Sequence, residues 1–470
     1  MRVIIGGAGE VGRGLAEVLL KEGKVVVLID KDPIIVREAQ SINALVIQGD
    51  IKHRKTLEEA GISDANLFIA VTDSDEQNLI SCALSRHCVE KHRGENSEFM
   101  AIARVNDPEM LLEASEGNLI EWAGIKHVVS TIDNSIKRLQ TGLQCTAFED
   151  VFELGNDAYI VELKLTKNSE KLAYSTLREA GKNISGLPTV VGLMKADKTS
   201  LIPDADTNLV PGDKLAFATI GTGSFPRIVR LTGNEEEEFP SNPRVLIFGA
   251  NLLGTRLATT YLESGCRVTV IEEDLELANK LAGSEIGNNR LLDIINGEHR
   301  DLDLLKDIDV ESHNIALAAS DDDHAGIASV LLAQDMGVER TGLILNDRKL
   351  VQVVHRMGIT FAVARRKVAI DAILTKIHSY LPGSYNMLES VPDVVGMSVP
   401  ITEGHKFLGK TLKECKIPKG CKVVFIQRTV NNKKTMTLSA ESNKQLLAND
   451  KLIVFMPSEK VSSFEKIMGV

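Results

Sequence analysis

The sequence predicts an α/β protein made of two doubly wound parallel-sheet domains, each followed by a small α+β lobe. Three observations predict this. The loop Gly7-Ala8-Gly9-Glu10-Val11-Gly12 follows the apolar run Val3-Ile4-Ile5, and a second apolar run ends at Asp30. The same arrangement returns 242 residues later: Gly249-Ala250-Asn251-Leu252-Leu253-Gly254 follows Val245-Leu246-Ile247-Phe248, and its second run ends at Glu272. Landmarks farther along keep the same order. Gly49, Asn66, Thr72, Asp73 and Asp75 match Gly297, Asn314, Ser320, Asp321 and Asp323 at an offset of 248, and Asn106-Asp107 match Asn346-Asp347 at 240. Finally, 43% of the 470 residues are hydrophobic but only one is Trp and five are Tyr. The cores must therefore be built from Val, Ile, Leu and Ala, a usage that suits buried parallel sheet.

In chain order, Val3–Ile5, Val25–Asp30, Ala44–Gln48, Leu67–Val71, Met100–Val105 and His127–Ser130 read as strands. Intervening segments such as Gly12–Glu22 and Pro33–Ser41 carry helical periodicity. Alternation of strand and helix predicts a doubly wound sheet, and the order recurs from Val245 to about Val363. The changing offset implies six residues inserted in the second copy near Gly287-Asn288-Asn289, and eight extra in the first copy, expected as a polar loop around His92–Ser97.

Each sheet is followed by an amphipathic stripe. Ile132, Ile136, Leu139 and Leu143 form the first; Ile370, Ile373, Leu374, Ile377 and Leu381 form the second. The pattern alone allows packing on the home domain or an arm docked on a partner. The small lobes that follow hold short strands at Tyr159–Leu165, Thr189–Lys195 and Lys214–Thr219, then at Lys422–Gln427 and Lys451–Met456. They share two phrases: Lys171-Leu172 through Leu177 resembles Lys406-Phe407 through Leu412, and Pro211-Gly212-Asp213-Lys214-Leu215 resembles Ala448-Asn449-Asp450-Lys451-Leu452. The halves meet at the acidic linker Gly233–Pro240, whose four Glu read as a solvated run.

The net charge of −11 argues against a nucleic-acid partner and against adsorption to anionic lipid, since both need clustered cations. No apolar stretch approaches the roughly eighteen residues that cross a bilayer, and the strand at Arg2 leaves no room for a signal peptide. Six cysteines without a Cys-x-x-Cys pair read as structural thiols in a reducing cytoplasm, with no metal site.

The first glycine loop sits between strand and helix, with an acidic residue ending the next strand. In that setting Gly7 permits a tight turn, Gly9 lets a phosphate approach the main chain and Gly12 lets the helix close on the strand. The helix N-terminus then offers N–H groups and partial positive charge to a pyrophosphate. Asp30 is placed to accept ribose hydroxyls and to repel a 2′-phosphate, which favours NAD or an adenine nucleotide over NADP. Thr72, Asp73 and Arg104 end later strands on the same rim. Arg104 is the residue suited to grip a phosphate, unless it makes only a surface ion pair. In the second copy, Asn251 replaces the second glycine and Ile344 stands where Arg104 does. A side chain and an unfavourable φ at Asn251 are expected to hinder phosphate approach. Gly249, Ala250, Asn251, Leu252, Leu253 and Glu272 thus outline a second nucleotide site, weaker or altered. Catalytic signals are missing. No Tyr is followed four positions on by Lys, no Gly-x-Ser-x-Gly or paired-carboxylate site appears, and histidines such as His87, His92 and His355 fall in helices or loops.

Taken together, Ile4-Ile5-Gly6-Gly7-Ala8-Gly9-Glu10-Val11-Gly12, Ile29-Asp30, Gln48-Gly49-Asp50, Val71-Thr72-Asp73-Ser74-Asp75-Glu76-Gln77-Asn78 and Ile102-Ala103-Arg104-Val105-Asn106-Asp107-Pro108 resemble the TrkA family of tandem RCK (KTN) proteins, peripheral subunits of Trk potassium-uptake systems. The resemblance spans essentially the whole chain. It implies an RCK Rossmann N-lobe over residues 1–131, a crossover helix and C-lobe over 132–231, a linker over 232–242, a degenerate second N-lobe over 243–365, and a second crossover helix and TrkA-C lobe over 366–470. It implies a ligand, NAD(H) first and ATP or ADP as the alternative, held by Gly7, Ala8, Gly9, Glu10, Val11, Gly12, Asp30, Lys31, Gly49, Asp50, Thr72, Asp73 and Arg104. It also implies a homo-oligomeric RCK ring, docked on a membrane-embedded potassium-translocating subunit at the cytoplasmic face, without enzymatic activity. The alternatives are an RCK regulator of a potassium channel or exchanger and, from another class, an NAD-dependent oxidoreductase.

Overall fold

The computed structural model describes all residues except 95–96, 126, 234–238, 379–382, 386–387, 389–390, 431–433 and 469–470. Most of the acidic linker and Leu381 of the second stripe therefore lie outside the described residues. Four sheets follow one another along the chain.

The first contains β1 (Arg2–Gly6), β2 (Val25–Asp30), β3 (Leu45–Gln48), β4 (Leu67–Ala70), β5 (Met100–Arg104) and β6 (His127–Val129), in the spatial order β3-β2-β1-β4-β5-β6. All its pairings are parallel. The reversal between β1 and β4 creates the crevice at which open α/β sheets bind ligands. Ile4, Phe68, Ala70 and Ala103 are buried under the helices that cover one face, which explains why these strands read as nearly continuous apolar runs.

The second sheet holds β7 (Asp150–Gly155), β8 (Ala158–Lys164), β9 (Thr189–Met194), β10 (Ser200–Leu201) and β11 (Lys214–Ile220), in the order β10-β9-β11-β8-β7. The third repeats the first: β12 (Arg244–Phe248), β13 (Arg267–Glu272), β14 (Leu292–Asn296), β15 (Ile315–Ala318), β16 (Arg340–Leu345) and β17 (Phe361–Ala364), in the order β14-β13-β12-β15-β16-β17. The fourth holds β18 (Gly383–Tyr385), β19 (Val394–Pro400), β20 (Lys422–Val430), β21 (Lys434–Ser439) and β22 (Lys451–Pro457), in the order β18-β19-β22-β20-β21. The α/β fold class expected from the sequence is the one observed, with parallel first and third sheets and antiparallel second and fourth.

Repetition extends to single hydrogen bonds. Asn66 Oδ1 accepts from Arg2 N at 2.9 Å, and Asn314 Oδ1 accepts from Arg244 N at 2.9 Å. The length differences take a specific form. The extra residues of the first copy lengthen a helix, Asp75–Arg93 at 19 residues against Asp323–Asp335 at 13, rather than forming only a loop. The second copy's insertion supplies a 3-10 turn at Glu285–Asn288.

The chain forms two compact units. The first comprises Met1–Ile136 with Asn346–Arg348 and Ala364–Ile377; the second comprises the remainder. The helix Arg365–His378 that follows the second Rossmann-like sheet thus belongs almost wholly to the first unit. There Ile370 lies so close to Gly14 that a Cβ on Gly14 would stand 2.3 Å from its Cδ1. In the second unit, Leu139 and Leu143 of the helix Thr131–Leu143 lie against Gly342 of β16, and Phe361 of β17 lies against Gly142. Members of both stripes thus lie against the other repeat of the same chain, Ile370 in the first unit and Leu139 and Leu143 in the second.

Also in the second unit, the two small sheets pack together. Phe152, Val191 and Ala216 share a core with Val424, Phe425 and Phe455, and Lys422 Nζ donates to Val190 O at 3.1 Å. The repeated phrases have a structural basis. Thr176 with Glu179 and Thr411 with Glu414 make equivalent side-chain-to-main-chain clasps. Gly212 and Asn449 have positive φ, and the following aspartates, Asp213 and Asp450, accept from Val210 N and Leu447 N and pair with Lys195 and Arg428.

Candidate functional site

The loop after β1 is shaped by three glycines with three different tasks. Gly7 has φ +101°, a conformation that disfavours any side chain. A Cβ on Gly12 would stand 1.9 Å from Gly7 O, so only glycine lets the helix Glu10–Lys21 start this close to the strand. Gly9 is different. Its φ of −61° suits any residue, and a Cβ there would meet nothing within 4 Å. The space beside Gly9 is open, and as N-cap it brings no side chain to the first helical N–H groups. Bare main chain at a helix N-terminus is the arrangement that receives a phosphate.

Beside that loop lies a cavity of about 750 Å3 in the first unit. Of the residues expected around a ligand, Gly7, Gly9, Glu10, Val11, Asp30, Lys31, Gly49, Asp50, Thr72, Asp73 and Arg104 line it. Ala8 and Gly12 do not. Ala8 is fully buried and its N–H donates to Asp30 Oδ2 at 2.7 Å, while Gly12 acts through the helix start. Asp30 Oδ1 accepts from Asp32 N at 3.0 Å. Each carboxylate oxygen can accept a further bond, so Asp30 is oriented by the main chain and still able to take a ribose hydroxyl.

The opposite wall is organised by a residue that sequence reasoning left out of the site. Asn78 is fully buried. Its Nδ2 donates to Thr72 O at 3.0 Å and to Arg104 O at 2.9 Å, and its Oδ1 accepts from Thr72 N at 2.9 Å and Thr72 Oγ1 at 2.7 Å. One amide therefore fixes the ends of β4 and β5 together. Asp75 Oδ2 accepts from Asn106 N at 2.8 Å and Asp107 N at 2.7 Å, extending the brace. The helix Asp75–Arg93 is capped by Ser74, whose hydroxyl also holds the exposed Glu76 carboxyl below the usual range. Arg104 is mostly buried and its Nη2 donates to the exposed Asp73 at 2.9 Å, but its Nε is buried without a partner. Arg104 lines the cavity, and a guanidinium there suits an incoming phosphate oxygen.

Asn346, Arg365, Arg366 and Ala369 also line this cavity, all from the second repeat and all part of the first unit. Arg366 forms an ion pair with Glu10. Asn346 belongs to the repeated Asn-Asp landmark, but no local motif marks Arg365, Arg366 or Ala369, for which the hint in the sequence is the amphipathic stripe of their helix.

The second copy keeps the main-chain path and changes what it offers. Gly249 has φ +107°, matching Gly7. Asn251 has φ −62° and ψ −177°, so the expectation of an unfavourable φ is corrected: Gly9, at φ −61° and ψ −171°, never used glycine's extra freedom. What Asn251 does is cap the helix, its Oδ1 accepting from Gly254 N at 3.0 Å. That side chain takes one of the N–H groups that Gly9 leaves open. Ala250 N donates to Glu272, which is only 6% exposed, so this carboxylate is enclosed where Asp30 is partly exposed. Leu253 is buried, Leu252 is exposed, and Gly326 and Ile344 stand at the positions of Asn78 and Arg104.

Among the described residues no group of His, Cys, Asp or Glu could hold a metal ion, and no helix is long and apolar enough to cross a membrane.

Comparison with known proteins agrees with this architecture. The TrkA-N domain matches residues 3–131 and again 245–365, and the TrkA-C domain matches 397–469. The chain is 24% identical to "Trk system potassium uptake protein TrkA homolog" of Archaeoglobus fulgidus, covering 99% of this chain and 100% of that one. It is 28% identical to "Trk system potassium uptake protein TrkA" of Haemophilus influenzae, covering 80% and 78%. Among solved structures, the GsuK RCK domain superposes with a TM-score of 0.55 at 18% identity, covering 100% of this chain and 95% of that one. The GsuK channel bound to NAD superposes equally, at a TM-score of 0.55 and 18% identity, covering 100% and 79%. At such identity the structures speak for the fold alone. The relatives are named as potassium-uptake proteins rather than as enzymes. With a TrkA-N domain in each half and a TrkA-C domain at its end, the chain belongs to the TrkA family.

Proposed function

We propose that the chain is a nucleotide-sensing regulatory subunit that gates a membrane potassium-uptake system of the Trk type from its cytoplasmic face, through rearrangement of an RCK ring formed with copies of itself. The observation that carries this reading is similarity along the entire chain to named Trk potassium-uptake proteins. It is joined to a cavity whose residues fit a nucleotide. Open space at Gly9 accommodates the diphosphate, the N–H groups that begin the helix Glu10–Lys21 receive it, and Asp30 takes the ribose. Arg104, which lines the cavity, supplies a guanidinium for the phosphate. Lys31, Gly49, Asp50, Thr72 and Asp73 complete the wall. NAD(H) is the favoured ligand and ATP or ADP the alternative.

The second copy, with Asn251 as a cap and Glu272 enclosed, is assigned a structural role, giving one nucleotide per chain. The lobes are assigned as 1–131, 132–231, 243–365 and 366–470, with 232–242 as linker. A ligand shifts a ring only by its differential affinity for two arrangements. A tenfold preference supplies about 1.4 kcal/mol per site, and several sites in a ring add. Potassium flux through the reconstituted complex should change on adding NADH, ATP or ADP. Flux indifferent to all three overturns the proposal, and co-purification with a channel or an exchanger in place of an uptake pore redirects it.

A further inference from the structure

The wall of the first cavity poses an electrostatic problem. Five carboxylates line it against four cations, and two of those cations, Arg365 and Arg366, come from the second repeat. Residues of the first repeat alone would leave three uncompensated negative charges around a site meant for phosphate; the two arginines reduce that excess to one. Like charges at such range oppose anion binding strongly enough to decide affinity.

The placement of the arginines is held by packing. They begin the helix Arg365–His378, and Ile370, one turn on, is seated against Gly14 of the helix Glu10–Lys21. In this structure Arg366 is paired with Glu10, and both side chains are about half exposed. A phosphate is a better partner for a guanidinium than a single carboxylate, because it offers more oxygens and more charge. A released Glu10 would simply turn to water.

Resting on the nucleotide reading of this cavity, we propose that Arg365 and Arg366 of the second repeat are phosphate ligands of the first repeat's site, with Glu10 holding Arg366 until the ligand's phosphate takes it over. The site is incomplete without the second repeat. Occupancy then fastens the start of the helix Arg365–His378, which follows β17 directly, to the first glycine loop.

The test is calorimetric titration of the full chain and of Arg365→Gln, Arg366→Gln and Glu10→Gln with ADP, and with adenosine as a phosphate-free probe. Losing one charge-assisted hydrogen bond predicts a Kd for ADP about tenfold higher in each arginine variant. Salt dependence should be shallower and adenosine binding unchanged. Glu10→Gln, which removes the competitor, is expected to bind ADP severalfold more tightly, and Arg366→Lys should recover part of the loss. ADP binding unchanged in all variants overturns the proposal while leaving the nucleotide site intact. Equal losses for ADP and adenosine overturn it as well, by showing an effect on the fold. A wild-type chain that takes neither ADP nor NADH removes the nucleotide reading itself.

Discussion

Gly9→Ala separates ligand binding from folding. The backbone at Gly9 has φ −61° and ψ −171°, and a Cβ there meets no atom within 4 Å. The second repeat has already made the experiment on the fold, since Asn251 carries a larger side chain on nearly the same backbone, at φ −62° and ψ −177°. The apo protein should therefore tolerate the methyl group sterically, with stability falling by no more than about 1 kcal/mol for alanine at an N-cap. The ligand should not tolerate it. The methyl stands in the open space through which a phosphate reaches the helical N–H groups. Loss of one hydrogen bond to a charged group costs about 1.5–3 kcal/mol, a weakening of roughly 10- to 150-fold in Kd. Gly12→Ala is the contrasting control: its Cβ would stand 1.9 Å from Gly7 O, so it should destabilise the fold. Thermal unfolding and calorimetric titration with NADH and ADP, run on both variants, provide the readout. A Gly9→Ala protein that binds like wild type would refute the account of the loop. One that unfolds like Gly12→Ala would refute the claim that this glycine serves the ligand.

Other perturbations test other parts of the structure. Arg104→Gln removes the guanidinium whose Nε lacks a partner, and should raise the Kd for nucleotide about tenfold while barely moving the melting temperature. Gly142→Val drives a side chain into the Phe361 ring, already 2.3 Å from an added Cβ; overpacking of this kind should cost about 1–3 kcal/mol in chemical denaturation. Asp450→Asn breaks the pair with Arg428, where Nη2 meets Oδ2 at 2.7 Å and the aspartate is buried, and should destabilise by about 3–5 kcal/mol. Burial, helped by Arg244, pushes the pKa of His313 below its ordinary 6.5. The unfolded chain therefore binds this proton more readily than the folded one. The stability His313 contributes is complete above pH 6.5 and is lost as pH falls from there through the lower folded value. Denaturation of His313→Gln should lack that portion of the acid loss.

Much of this was legible in the residues themselves. The glycine loops, the apolar runs and the paired offsets exposed two doubly wound sheets because parallel strands buried on both faces leave continuous apolar segments. The strands β7 and β21 left weaker traces, since half-exposed antiparallel strands such as Lys434–Ser439 mix polar and apolar residues. The first-repeat wall of the cavity followed from a motif in its required setting. Arg365 and Arg366 did not, because more than three hundred residues separate them from Glu10 in the chain and only tertiary packing joins them. Asn78 was visible as a motif letter, but its task, bridging Thr72 and Arg104, depends on where two strand ends meet. At Asn251 the residue type suggested a strained backbone, and the structure instead shows a helix cap in the ordinary β region.

The central claim is that the cavity beside the first glycine loop, and not its counterpart in the second repeat, seats a nucleotide against the bare main chain of Gly9. Titration of the full-length chain with NADH and with ADP to saturation measures this directly. The account predicts one bound nucleotide per chain, held roughly 10- to 150-fold more weakly on substituting Gly9 and unchanged on substituting Asn251. Absence of binding, or two equivalent nucleotides per chain, would contradict it.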